Sequence, residues 1–244
     1  MEENLMKNIP IMQPYFDDEE AKEVADALLS GWVAQGPRVA AFEQAVADYE
    51  GSRYAIAVTS CTTALHLCMV ALGLGAGQDV IVPSYTFVAT ANAAAYTGAR
   101  PILVEVEPRT YNIDPAWTAD FILRNYTEKD GSWFCRQTGN RLSCIVPVNL
   151  FGLCADIPAI NALADRFQLK VVEDSACALG AAIGDTREGG FGNPSALSFH
   201  PRKSITTGEG GMVLTNDASF AEKVRKLRSH AASLSEVQRH QNKG

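Results

Sequence analysis

The stretch YAIAVTSCTTALHLCMVALGLGAGQDVIVPSYTFVATANAAAYTGARPILVEV, residues 54–106, decides the fold. Short apolar runs at residues 54–58, 79–82 and 101–106 read as strands, and residues 62–73 and 87–96 between them read as helices. Apolar strands alternating with helices are the signature of a mostly parallel sheet covered on both faces. The beat continues with helix 115–126, strand 144–148, helix 157–167, strand 169–173, strands 196–199 and 212–215, and helix 220–227, started by Asp217 or Ser219. Residues 127–141 are polar, carry Gly131, Gly139 and Asn140, and are expected to form a surface excursion without chemistry. Upstream, residues 17–31 read as a helix with Asp17 or Asp18 as cap, Val24, Ala27 and Leu28 on one face and Gly31 as stop. A second helix runs from Pro37 through the apolar repeat Val39, Phe42, Val46 and Tyr49 to Gly51.

Length and composition bound the function. With 244 residues, 47% hydrophobic and 20% charged, the chain can bury a substantial core. A net charge of -7 argues against a nucleic-acid or anionic-membrane partner, both of which need clustered Lys and Arg. The first residues, MEENLMKNIPIMQP, lack an apolar run and do not read as a secretory signal. Six cysteines at unrelated spacings, without a CxxC, suit reduced thiols in the cytoplasm. The four histidines form no HExxH pair, and no metal is expected.

Chemistry concentrates at four places. In SFHPRKSITTGEGGM, residues 198–212, Lys203 lies between a strand end marked by Ser198 and a glycine-rich turn, either as a held, reactive amine or as a solvated loop lysine. Ser60, Cys61, Thr62 and Thr63 stand between a strand and a helix, where an open α/β sheet binds ligands; they form either a phosphate site or an ordinary cap. Neither a Walker motif nor GxGxxG is present, which disfavours a nicotinamide oxidoreductase. Asp174 ends a strand and would hold a protonated ring nitrogen, bind magnesium or cap the next turn. Phe87, at another strand-to-helix junction, would cover a planar ring or pack in the core. A strand-end acid, a constrained lysine and a helix-start phosphate site together match what pyridoxal 5'-phosphate requires.

With these residues in view, the sequence resembles the DegT/DnrJ/EryC1/StrS family of pyridoxal-phosphate sugar aminotransferases. The resemblance is carried by GWVAQGP at 31–37, FEQAVADYEG at 42–51, SCTTALHL at 60–67, DVIVPSYTFVATANA at 79–93, VVEDSACALGA at 171–181 and the lysine motif at 198–212. It implies an α/β, aspartate-aminotransferase-like (fold type I) large domain with a mostly parallel central sheet. Lys203 would carry the cofactor covalently, Asp174 would meet the pyridine nitrogen and Phe87 would stack on the ring. Ser198 and the backbone at Cys61 and Thr62 would hold the phosphate. The family usually has glycine where Cys61 stands and often glutamine or histidine where Cys177 stands, so Cys61 is expected to crowd the phosphate if turned inward. Cys177 is expected to lose a cofactor hydrogen bond.

The resemblance further implies transfer of an amino group, usually from glutamate, to a nucleotide-linked keto-sugar by a homodimer in the full-length form. Residues 1–244 read as an N-terminal segment plus the large cofactor-binding domain, ending before a smaller C-terminal domain. Two rivals share the resemblance. One is a non-catalytic remnant that dimerises or regulates; the other is a sugar dehydratase, against which Lys203 stands, because such relatives carry histidine there.

Overall fold

The computed structural model describes residues 10–231. Residues 1–9 and 232–244 lie outside the described residues. The chain opens with α1 (Asp18–Leu29) and α2 (Pro37–Glu50), then alternates β1 (Tyr54–Val58), α3 (Cys61–Ala71), β2 (Gln78–Pro83), α4 (Ala89–Tyr96), β3 (Arg100–Val104) and α5 (Pro115–Asn125). Next come β4 (Tyr126–Lys129), β5 (Ser132–Cys135), β6 (Arg141–Ile145), α6 (Ile157–Phe167), β7 (Lys170–Val171) and β8 (Glu173–Asp174). A small hairpin of β9 (Ala182–Ile183) and β10 (Thr186–Arg187) precedes β11 (Ser195–Ser198), β12 (Gly211–Thr215) and α7 (Ala218–Arg228).

Local chemistry explains the boundaries. Asp17 accepts from the Glu19 amide while Glu20 reaches back to the Asp17 amide, closing a capping box on α1. The Asp114 and Asp217 carboxylates accept from the first-turn amides of α5 and α7, and Pro37 opens α2. The face of α1 that carries Val24 and Leu28 stays exposed, at 61% and 64%, and α1 buries no residue. Its amphipathic pattern is therefore satisfied by no core among the described residues.

The sheet runs β3-β2-β6 in parallel, and β6 pairs β7 in parallel. The segment 170–174 then joins the two halves, because β7 pairs β6 while β8 pairs β11 in parallel. Beyond β11 come β12, antiparallel to it, and β1, antiparallel to β12. Among these central strands only β12 runs against the rest, so the sheet is mostly parallel, as expected.

Residues 127–141 depart from expectation. Rather than a loose excursion, β4 and β5 form an antiparallel hairpin whose second strand extends along the start of β6. Two anchors draw it in. Trp133 packs edge-on against Phe167, with centroids 5.0 Å apart, and the Tyr126 hydroxyl donates to buried Asp79 at 2.7 Å. Asp79 also receives Arg100 and Asn140; burial alone would raise its pKa, but these hydrogen bonds outweigh it and hold the carboxyl below the usual range.

Alternation along each strand divides the core. Val80 and Val82 pack with Leu65, Met69 and Val213 under α3 and α7, while Ile81 faces Ile145, Ile160 and Phe167 under α6. A third cluster sets Val46 of α2 against Leu197, Met212 and Leu214. Each such fully buried aliphatic side chain contributes about 1.5–3 kcal/mol. Helices on both faces leave the strand ends as the open ground for a site.

Candidate active site

The parallel strands deliver their carboxyl ends to one edge, the place where open α/β sheets bind ligands. Beyond β1 comes the start of α3, beyond β2 the segment 84–88, beyond β8 the turn after Asp174, and beyond β11 the loop that carries Lys203. A cavity of about 450 Å³ opens there, lined by Ser60, Cys61, Thr62, Phe87, Asp174, Cys177, Ser198 and Lys203; of the residues singled out from the sequence, Thr63 does not line it.

The start of α3 is held unusually close to the sheet. A Cβ on Gly211 would lie 2.3 Å from the Ser60 carbonyl carbon and 2.5 Å from the Cys61 amide nitrogen, so β12 can pass beneath the helix only with glycine there. Ser198 is the register partner of Gly211 and is thereby brought beside the helix start. The Ser60 hydroxyl accepts from the Thr63 amide at 3.1 Å, which leaves the Cys61 and Thr62 amides at the positive end of the helix. Cys61 is buried, and its thiol donates to the Ala196 carbonyl at 3.4 Å and lies 4.0 Å from Asp174 Oδ1. Burial, with the Asp174 charge adding to it, pushes that thiol well up.

The Lys203 loop is tied at its base. The Phe199 ring lies edge-on to Phe42 at 5.0 Å, the Phe199 amide donates to Gly210 and the Thr207 amide donates to Phe199. The Thr206 hydroxyl donates to the Phe199 carbonyl at 2.8 Å, and the Lys203 amide to the His200 carbonyl at 2.9 Å. Lys203 Nζ then donates to Cys177 Sγ at 3.0 Å. Phe87, 76% exposed, is no core aromatic; it stands at the cavity's mouth just before α4.

Asp174 is 4% exposed, and burial raises its pKa against the opposing pull of Thr90, the Ala176 amide and the Lys203 charge. The Thr90 hydroxyl donates to Oδ2 at 2.7 Å and the Ala176 amide to Oδ1 at 3.2 Å, so Asp174 does cap the next turn as well as face the cavity. A buried carboxylate at a cavity wall is suited to a cationic ligand atom. Sequence reading missed Thr90, whose signal was a lone buried hydroxyl in the small apolar helix ATANAAAY. It also missed Asn149, which follows the apolar run 144–148, lines the cavity and donates to Ser175 Oγ at 2.9 Å.

Behind Asp174 lie three more buried carboxyls. Glu50 accepts from the Gly180 amide and Glu173 from Asn193, while Glu188 is bonded to the Ser175 and Ser195 hydroxyls. Oε2 of Glu173 and Oε2 of Glu188 have no hydrogen-bond partner among the described residues. A proton shared between the two carboxyls would satisfy both. Burial raises both pKa values, and for Glu188 the nearby Glu173 charge adds to it. Unfolded glutamates ionise above about pH 4.3, whereas the folded pair keeps its proton, so stability is highest below that pH and falls as pH rises toward the folded values. Each retained proton sets a slope of up to about 1.4 kcal/mol per pH unit. Glu188→Gln supplies a fixed N–H donor and is expected to flatten this fall, read as urea midpoints from about pH 5 to 8; an unchanged slope would dismiss the shared proton.

A model of the DegT/DnrJ/EryC1/StrS aminotransferase family matches residues 14–244. The chain is 40% identical over 224 residues to GDP-perosamine synthase of Caulobacter vibrioides, covering 91% of this chain and 56% of that protein. It is 36% identical to UDP-2-acetamido-2-deoxy-3-oxo-D-glucuronate aminotransferase of Pseudomonas aeruginosa, covering 83% and 52% of the two chains. The solved structure of S. venezuelae DesV, in complex with a ketimine intermediate, superposes with a TM-score of 0.80 at 34% identity, covering 89% of this chain and 55% of that one. The chain thus spans about half the length of these relatives, within the fold type I, aspartate-aminotransferase-like architecture. By sequence and by fold, the chain belongs to the DegT/DnrJ/EryC1/StrS aminotransferase family.

Proposed function

We propose that this chain is the large cofactor-binding domain of a sugar aminotransferase that moves an amino group from glutamate to a nucleotide-linked keto-sugar. One observation carries the reading: the Lys203 amine, the buried Asp174 carboxylate and the start of α3 line the same cavity. The family uses pyridoxal 5'-phosphate, and the residues present fit it: a helix start beside Ser198 suits a phosphate, and Asp174 suits a protonated ring nitrogen. When bound, that group supplies an aldehyde that takes up amines and a ring that withdraws electrons.

The chain's own residues then have separate tasks. Cys61 and Thr62 amides, with Ser198, hold the phosphate, while Thr90 and the Ala176 amide keep Asp174 aimed at the ring nitrogen. Phe87 covers a ring face. Lys203 Nζ would hold the cofactor and, once the donor amine frees it, would carry the proton between the donor carbon and the cofactor carbon. The exposed Tyr85, Val88, Phe151 and Leu153 near the cavity favour a homodimer in the full-length protein, since such surface is usually covered. Six free cysteines accord with a cytoplasmic setting. Among the described residues no helix is long and apolar enough to cross a membrane.

The test is a two-step exchange. The full-length protein loaded with cofactor is expected to lose its aldehyde absorbance on adding glutamate and recover it on adding a nucleotide-linked keto-sugar. Recovery with simple 2-keto acids but with no keto-sugar would remove the sugar from the reading.

A further inference from the structure

The Lys203–Cys177 contact has chemistry of its own. Nζ and Sγ are 3.0 Å apart, and they come from two separately anchored segments. Cys177 lies in the turn closed by the Ala178 amide on the Ser175 carbonyl, while Lys203 lies in the loop tied by Phe199 and Thr206. Of the six cysteines, Cys177 is the exposed one; Cys61, Cys68 and Cys144 are buried and Cys135 and Cys154 half-buried. The thiol that a small oxidant reaches most readily is thus already against an amine, and the Cys61 thiol is directed at the Ala196 carbonyl instead.

We propose that Cys177 and Lys203 form a peroxide-driven, thiol-reversible nitrogen–sulfur bond that locks the amine. In the first step hydrogen peroxide transfers oxygen to Sγ: the O–O bond breaks, an S–O bond forms and one water leaves. Sulfur loses two electrons and the peroxide gains them. In the second step Nζ, as the neutral amine, attacks the sulfenic sulfur; the N–S bond forms, the S–O bond breaks, and the departing hydroxide takes a proton from nitrogen and leaves as water. No electrons change hands there. Reduction runs through a small thiol, which attacks Sγ, breaks the N–S bond and gives its proton to Nζ; a second thiol then frees Cys177 and leaves as a disulfide. Held in contact, the two groups react as partners in one molecule, which favours N–S closure over further oxidation of sulfur. The bond itself needs no cofactor, but its consequence rests on the function proposed above: a lysine bound to sulfur cannot take up pyridoxal phosphate.

The protein freed of cofactor is treated with hydrogen peroxide, digested without reductant and analysed by mass spectrometry. The expected product joins the Cys177 and Lys203 peptides and is lighter than their sum by two hydrogen atoms. Dithiothreitol is expected to release it, and Cys177→Ser and Lys203→Ala are each expected to abolish it. Cys177 recovered only as a sulfinic acid, or in a disulfide with another cysteine, while Lys203 stays free, overturns the proposal. In parallel, covalent capture of pyridoxal phosphate is expected to drop to background after peroxide and return after dithiothreitol. A cross-link in a protein that never captures the cofactor, oxidised or not, would leave the bond standing and remove the functional reading instead.

Discussion

Lys203→Ala is expected to abolish the covalent cofactor adduct and to lower amino transfer in the full-length protein by at least about 10²–10⁴-fold, the range for losing a positioned proton-transfer group. In the parent, borohydride should fix pyridoxal phosphate to one lysine, and peptide mapping should place it at position 203. The reason is geometric. The loop is tied at Phe199 by three hydrogen bonds, and its lysine reaches the cavity wall at Cys177. The fold should survive the change, because the hydrogen bond that Nζ makes is to an exposed thiol. The phosphate site is built from other residues, so the variant should still retain cofactor without a covalent bond. A reduced adduct at Lys170 or another lysine, or full activity in Lys203→Ala, would refute the assignment.

Asp174→Asn is expected to reduce amino transfer by about 10²–10³-fold, as for removing one preorganised electrostatic partner, while retaining most of the bound cofactor. The amide matches the carboxylate in size; with its oxygen toward the Ala176 amide it still accepts there, and its NH2 group faces the Thr90 hydroxyl, which can turn to accept from it, so the turn after β8 is preserved. What it lacks is charge. A neutral group stabilises a protonated ring nitrogen less and weakens its electron withdrawal. Removing a buried charge also lifts the desolvation cost seen in the raised pKa of Asp174, so thermal stability should not fall. Wild-type rates in the variant, or loss of the fold in place of the chemistry, would show that Asp174 serves structure alone.

Much of the architecture was legible before any coordinates. The alternation of apolar runs with capped helices placed most central strands and helices, and α6 spans 157–167 as read, but the strand read at 144–148 runs 141–145 and the one read at 169–173 divides into β7 and β8. Ser60, Cys61, Thr62, Phe87, Asp174 and Ser198 were read at strand ends and helix starts, Lys203 in its glycine-rich turn, and Cys177 only through the family resemblance. The hairpin β4–β5 was misread because Glu128, Lys129, Asp130 and Gly131 make its tip polar, while Tyr126 and Trp133 anchor it to partners far along the chain. The exposed face of α1 was equally invisible, since amphipathicity records a capacity for burial and not its fulfilment.

The sequence by itself determined what depends on neighbours within a few residues: the strand and helix alternation, the aspartate caps, the glycine turn behind Lys203 and the residue types offered to a cofactor. Tertiary structure alone decided which of those residues meet. Thr90 reaches Asp174 across 84 positions, the Gly180 amide reaches Glu50 across 130, and Lys203 touches Cys177 across 26. Such contacts follow from sheet order and register, where a shift of one residue turns every side chain to the opposite face, and no local pattern encodes which strand ends will stand side by side.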